Sequence, residues 1–224
     1  IRVYEALGLT ADSAQSIVDI IPQLWALVPD LQNGKHPIFT FNSFAIDATG
    51  QPAPLDHVGK KIIMGDGIMQ GYGALGFDPR TAPRAILAHE YGHQVQFADN
   101  LTVSDLPAGA EQSRRLELMA DALSTYFTVH SRGEALNATR TLADLQTFYN
   151  VGDCSFTSAS HHGTPLQRFR TAEWAASVVD NAAESRFEIT VGGRLAGISE
   201  YRLDPGIVVF THTEVDDAFE GMGL

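Results

Sequence analysis

An α+β chain, mainly helical with a small sheet set beside one helix, is what this sequence predicts. Two observations carry the prediction. Apolar residues recur at helical spacing over 10–28, 84–98, 109–130, 134–149 and 165–183. Between and after them lie short runs rich in β-branched and aromatic residues, at 36–46, 60–64, 187–191 and 207–211, which read as strands. With 224 residues, 44% of them hydrophobic, the chain can bury a substantial core. Its character changes at Arg186, so residues 1–185 are expected to form the main domain. Residues 186–224 are expected to be a β-rich C-terminal extension, appended to that domain or part of it.

The elements follow in order. Ile17, Val18, Ile20, Ile21, Leu24 and Leu27 mark the first helix, with Thr10 or Asp12 as its cap and Pro22 as a kink. The run from His36 to Ile46 alternates in part and reads as a strand; Gly50 to Pro54 is a loop, and Lys60 to Met64 a second strand. Gly71 to Gly76 lacks both the fingerprint and the basic residue of a phosphate loop, so it is read as a bend. Asp78-Pro79 or Thr81-Ala82-Pro83 opens the next helix, on which Ile86, Leu87, Tyr91 and Val95 form the expected buried stripe. A loop spans Asp99 to Pro107. The helix after it turns Leu116, Met119, Ala120, Leu123, Tyr126 and Phe127 inward by its periodicity. Residues 134–149 form another helix, 152–163 a polar loop and 165–183 a further helix. Phe187–Val191 and Ile207–Thr211 then read as a terminal hairpin or an addition to the sheet.

Composition excludes several classes. A net charge of −12 without any Lys/Arg patch is unsuited to phosphate contacts, so no nucleic-acid partner is expected. The longest apolar stretch, Ile17 to Val28, is interrupted by Asp19, Pro22 and Gln23, too polar for a membrane span. Cys154 is the single cysteine and reads as a small buried hydrophobe. The sequence opens at Ile1 without a signal-peptide pattern; removal of a leader, and hence a secreted or periplasmic soluble protein, is one expectation.

The chemistry concentrates in His89-Glu90-Tyr91-Gly92-His93. On a helix, His89 and His93 stand one turn apart on one face, the spacing at which two imidazoles hold one Zn²⁺. Glu90 lies about 100° round the helix, poised as a base for a water on the metal. A catalytic zinc takes three protein ligands and keeps one position open. An extended form of the motif would offer Asp99, but it needs a glycine's freedom at position 96, where this chain has Gln96. Glu117 and Asp121, at i and i+4 amid Leu116, Leu118, Met119 and Ala120, suit better. Glu117 would complete the ligand set and Asp121 would accept a hydrogen bond from a ligand histidine. The plain alternative is an exposed carboxylate pair balanced by Arg114 and Arg115.

The strings Leu87–Gln96, Leu116–Asp121 and His162–Arg168 resemble, in this order, the His-Glu-x-Gly-His-x-x-Gln, Glu-Leu-x-Ala-Asp and His-Gly-Thr-x-x-Gln-Arg motifs of bacterial neutral zinc metallopeptidases, a gluzincin family. Phe41-Asn42-Ser43-Phe44-Ala45 is similar to a strand of the related prenyl-protein-processing and heat-shock-type zinc endopeptidases. The resemblance covers roughly residues 38–175. It implies a zincin-like fold, a Zn²⁺ cofactor on His89, His93 and Glu117, and Asp121 as the partner behind the ligands. It also implies His162 as oxyanion helper, with Arg168 pairing a carboxylate. His161, Tyr72 and Tyr149 stay open as alternative helpers, and His36, His57, His130 and His212 read as surface or capping residues.

The expected function is a zinc-dependent endopeptidase with Glu90 as general base. Its peptide or protein substrate would lie extended along the strand near Asn42 to Ala45 or the one ending at Met64. Two rivals stand beside it: a zinc-stabilised binding module without catalysis, and a zinc hydrolase of non-peptide amides.

Overall fold

The computed structural model describes residues 37–52, 58–101, 109–154, 156–158 and 161–219. The expected helix over 10–28, most of the loop up to Pro107, and His36 and His57 lie outside them. The mixed α+β class holds, with helices and two small antiparallel sheets among the described residues. Two compact units divide between Ala172 and Glu173.

In the first unit, α1 (Pro37–Thr40) precedes β1 (Ser43–Asp47) and β2 (Lys60–Met64). The strand expected from His36 therefore begins only at Ser43. Pro37 has its φ set for a helix start and leads a single turn instead. β1 and β2 pair antiparallel, Ser43 opposite Met64 and Asp47 opposite Lys60. Helix α2 (Asp66–Ala74) takes in Gly71 and Gly73, where a bend was expected. Its buried Ile68 and Tyr72 pack with Phe77, Ala82 and Ile86. That burial outweighs the low helix propensity of glycine.

Helix α3 (Ala82–Asp99) carries the His-Glu-x-x-His run. Asp78 Oδ1 accepts the backbone N–H groups of Arg80 and Thr81 at 3.0 and 2.7 Å just before it, and Pro83 sits in its first turn. The inward face differs from the expected stripe. Leu87 and Tyr91 are exposed, while Ala82, Ala85, Ile86, His89, Glu90, Gly92 and Gln96 are buried. Helix α4 (Ala110–Val129) behaves the same way, burying Ala120, Asp121, Ser124, Thr125 and Thr128 and leaving Phe127 exposed. Two helices that present small and hydrogen-bonding residues to each other can approach more closely than two that meet through large apolar ones.

At Gly92 the approach is close. A Cβ at that position would lie 3.1 Å from Ala120 Cα and 3.2 Å from Ala120 O. The Ser124 hydroxyl donates to Ala85 O at 2.9 Å, a second tie between α3 and α4. The Gln94 side-chain amide donates to Ile46 O at 3.1 Å and Lys61 O at 2.9 Å, anchoring α3 on the two-stranded sheet.

Helix α5 (Ala138–Val151) starts later than expected. Asn137 caps it, its side chain accepting the Arg140 N–H, and residues 131–134 form turns. Leu145 and Phe148 join Ala85 and Ala172 in a second apolar cluster. Helix α6 (Pro165–Ala176) is shorter than the expected 165–183, because Val178–Asn181 pairs as a strand. In the second unit that strand, β3, begins the antiparallel order β3, β4 (Arg186–Val191), β5 (Arg194–Asp204), β6 (Ile207–Val215). The sequence reading missed β3 and β5; β5 mixes charged, polar and apolar residues, and its strand state comes from pairing on both sides. No helix among the described residues is long and apolar enough to cross a membrane.

Candidate metal centre

The facing sides of α3 and α4 bring His89, His93 and Glu117 together. His89 Nε2 lies 3.1 Å from His93 Nε2 and 3.2 Å from Glu117 Oε2, and His93 Nε2 lies 3.4 Å from Glu117 Oε1. This group could hold a metal ion.

The partners behind the two imidazoles define their chemistry. His89 Nδ1 stands 2.8 Å from Asp121 Oδ1. A carboxylate only accepts, so Nδ1 carries the proton and donates. Asp121 is fully buried and also accepts two bonds from Arg168, Nε at 2.8 Å and the terminal nitrogen at 2.6 Å. His93 Nδ1 lies 2.8 Å from Gln96 Oε1, while Gln96 Nε2 donates to Leu116 O at 2.7 Å. That second bond fixes the amide, so its oxygen faces the imidazole and His93 Nδ1 is the donor. Both Nε2 atoms are left as lone pairs, converging on a carboxylate. Two Nε2 lone pairs and the two Glu117 oxygens at contacts of 3.1–3.4 Å repel one another unless a proton or a cation sits among them.

The electrostatics of these groups agree. Burial by itself would lower the His89 pKa, but hydrogen bonds to Asp121 and Glu117 outweigh it and push it up to about 10. Burial would lower His93 as well, but Glu117 and Gln96 together outweigh it and the net shift is upward. Glu117 is held well below the usual carboxylate range: burial would raise it, but His162, His89 and His93 overcome that. Glu90, buried next to the cluster, is pushed up chiefly by desolvation. Ser43 on β1 opposes that rise in small part, and its hydroxyl donates to Met64 Sδ at 2.9 Å.

Asp99 is exposed at the end of α3; the helix runs straight through Gln96, and the left-handed turn comes at Asn100, with φ 51°. The exposed-pair reading of Glu117 and Asp121 is overturned, since Arg114 and Arg115 both pair with Glu111. Arg168 does pair a carboxylate, that of Asp121. His162 Nε2 is 3.9 Å from Glu117 Oε1, with its side chain 44% exposed. His161 is fully buried, its Nδ1 bonded to Asp153 Oδ1 at 2.7 Å. Tyr72 is buried against Phe77, and Tyr149 packs edge-on to Phe169. His130 ends α4, its Nδ1 accepting the Arg132 N–H, and His212 is an exposed partner of Glu214. Cys154 is exposed, not buried as expected, in the loop after α5.

Gln96, Gln94 and Ser43 had no assigned role in the sequence reading. Gln96 follows His93 by one helical turn, a spacing at which a side-chain bond is expected, so its signal was present. Ser43 and Gln94 act across the sheet–helix contact, which periodicity does not encode. No family model, no curated protein and no solved structure matches this chain.

Proposed function

We propose that this chain is a zinc-dependent endopeptidase of zincin-like fold, its metal held by His89, His93 and Glu117. The observation that carries the reading is the convergence of these groups: the two Nε2 atoms stand 3.1 Å apart, one Glu117 oxygen lies 3.2 Å from His89 and the other 3.4 Å from His93. Ligands 2.0–2.2 Å from a tetrahedral zinc stand about 3.3–3.5 Å apart. Their softness fits as well, two neutral imidazoles and one carboxylate. Asp121 and Gln96 are the hydrogen-bond partners that hold the imidazoles in the tautomer a metal requires.

What the bound ion supplies is Lewis acidity, acidifying a water and polarising a substrate carbonyl. Glu90 accepts the proton of the attacking water and returns it to the leaving amine. Its burial supports that role, because a desolvated carboxylate is a stronger base than one in water. The His162 imidazole, on the Glu117 side of the cluster, donates to the oxyanion of the tetrahedral intermediate. β1, which carries Ser43 beside Glu90, is the strand along which an extended peptide would lie.

The test joins metal analysis to a peptide-library digest with and without chelator. We expect one zinc per chain and cleavage that chelator abolishes and zinc restores. Glu90→Gln should keep the zinc and lower kcat by at least about 10³-fold, the scale of an essential proton-transfer group. Glu90→Gln protein that cleaves at the wild-type rate refutes the base assignment.

A further inference from the structure

His162 sits on a loop without regular secondary structure, yet its ring faces the ligand cluster. Asp153 supplies what holds it there. This residue follows Gly152, the C-cap of α5, and makes three bonds to three consecutive residues. Its N–H donates to Gly163 O at 2.9 Å, its Oδ1 accepts His161 Nδ1 at 2.7 Å, and its Oδ2 accepts the His162 backbone N–H at 2.8 Å. The His162 ring spans two carboxylates, Nδ1 3.8 Å from Asp153 Oδ2 and Nε2 3.9 Å from Glu117 Oε1. His161, fully buried with its ring 5.5 Å from that of Phe156, anchors the loop from the other side. Gly163 takes φ 105°, a region unfavourable to other residues, which lets the chain leave the clamp toward α6.

We propose that Asp153 is a positioning residue for His162, its carboxylate clamping the 161–163 segment so that the His162 imidazole stays over the His89–His93–Glu117 group. The inference rests on the reading above, in which His162 serves the oxyanion. A carboxylate is required because two donors, His161 Nδ1–H and His162 N–H, converge on it from separate directions. Asparagine offers one acceptor and one donor in the same shape, so one N–H would meet an NH₂ group. A looser His162 costs rate in the chemical step without altering metal binding or ground-state contacts.

The experiment uses the full chain loaded with zinc. Asp153→Asn, His162→Ala and the double variant are assayed on one cleaved peptide, and exchange of the His162 amide is followed by NMR in wild type and Asp153→Asn. We expect His162→Ala to lower kcat about 100-fold. Asp153→Asn should lower it about 10-fold with KM and zinc content unchanged. In the His162→Ala background the Asp153→Asn change should add nothing, the signature of action through His162. Losses that multiply would overturn the proposal and mark Asp153 as a general structural residue. The exchange arm needs no turnover, and its wild-type half needs no variant; release in Asp153→Asn counts only where the other amides of that protein keep their wild-type protection. A His162 amide protected in wild type and released in Asp153→Asn supports the clamp, whereas a wild-type amide exchanging at the rate of open chain overturns it. A zinc-loaded wild type that cleaves no peptide counts against the endopeptidase reading alone, and the amide then decides the clamp.

Discussion

At the scale of single residues, the centre is a set of buried polar atoms with few spare bonds. Asp121 accepts from His89 and twice from Arg168, whose guanidinium also lies 5.7 Å from the Phe148 ring centre. Removing that guanidinium leaves a carboxylate that water cannot reach. Arg168→Met is expected to destabilise the fold by about 3–5 kcal/mol, the cost of breaking a buried pair from one side. Urea unfolding measures it, and a loss below 1 kcal/mol would contradict the account. Asp144 is a separate case. Fully buried on α5, it accepts from Thr125 and Thr128, yet desolvation still raises its pKa from 3.8 to about 6. A carboxyl raised on folding favours the protonated native state. Its contribution is therefore complete below pH 3.8 and is lost as pH rises through about 6. Asp144→Asn, neutral at every pH, should be the more stable protein at pH 8 and should flatten the decline between pH 4 and 7. Thermal melts across that range would show parallel curves if the charge carries no cost.

At the scale of elements, the decisive contact is α3 against α4. Both helices turn small or hydrogen-bonding residues inward, and Gly92 packs directly against Ala120. Alanine at 92 would gain up to about 1 kcal/mol of helix propensity. Its Cβ would also stand 3.1 Å from Ala120 Cα, which forces the helices apart by a few tenths of an ångström. Over-packing of this kind costs about 1–3 kcal/mol, so Gly92→Ala should be destabilising on balance. The same shift draws Glu117 away from the imidazoles, and zinc affinity should fall about 10-fold. Competition with a chromophoric chelator reads the affinity directly. A variant that binds zinc as tightly as wild type would show that the spacing at Gly92 is not what sets the site.

At the scale of the molecule, metal and proton compete for one position. Without a cation the site is held together by protonated His89. That stabilisation is fully present below pH 6.5 and disappears as pH rises through about 10. Zinc binding displaces the proton, so the metal should stabilise the chain more as pH rises. We expect zinc to raise the thermal midpoint at pH 8, chelator to reverse the rise, and the gain to shrink steadily toward pH 6. At zinc 1,000-fold above its Kd the gain corresponds to about 4 kcal/mol. A midpoint indifferent to both zinc and chelator would remove the metal centre from the fold's energetics.

What the sequence by itself determined here is local. The His-Glu-x-x-His run on a helix, the i, i+4 relation of Glu117 and Asp121, and β2 at Lys60–Met64 could all be read, because helical and strand periods act over a few residues. The tertiary structure decided the rest. It chose the inward faces of α3 and α4, where apolar periodicity pointed to Leu87, Tyr91 and Phe127 and packing instead buried Gly92, Gln96 and Ser124. It turned residues 178–181 from an expected helix into a strand, since a neighbouring strand offers hydrogen bonds that no local propensity anticipates. It brought Asp153 to His161 and His162 across a loop. Such contacts depend on which segments meet in space, and a one-dimensional pattern carries no record of that meeting.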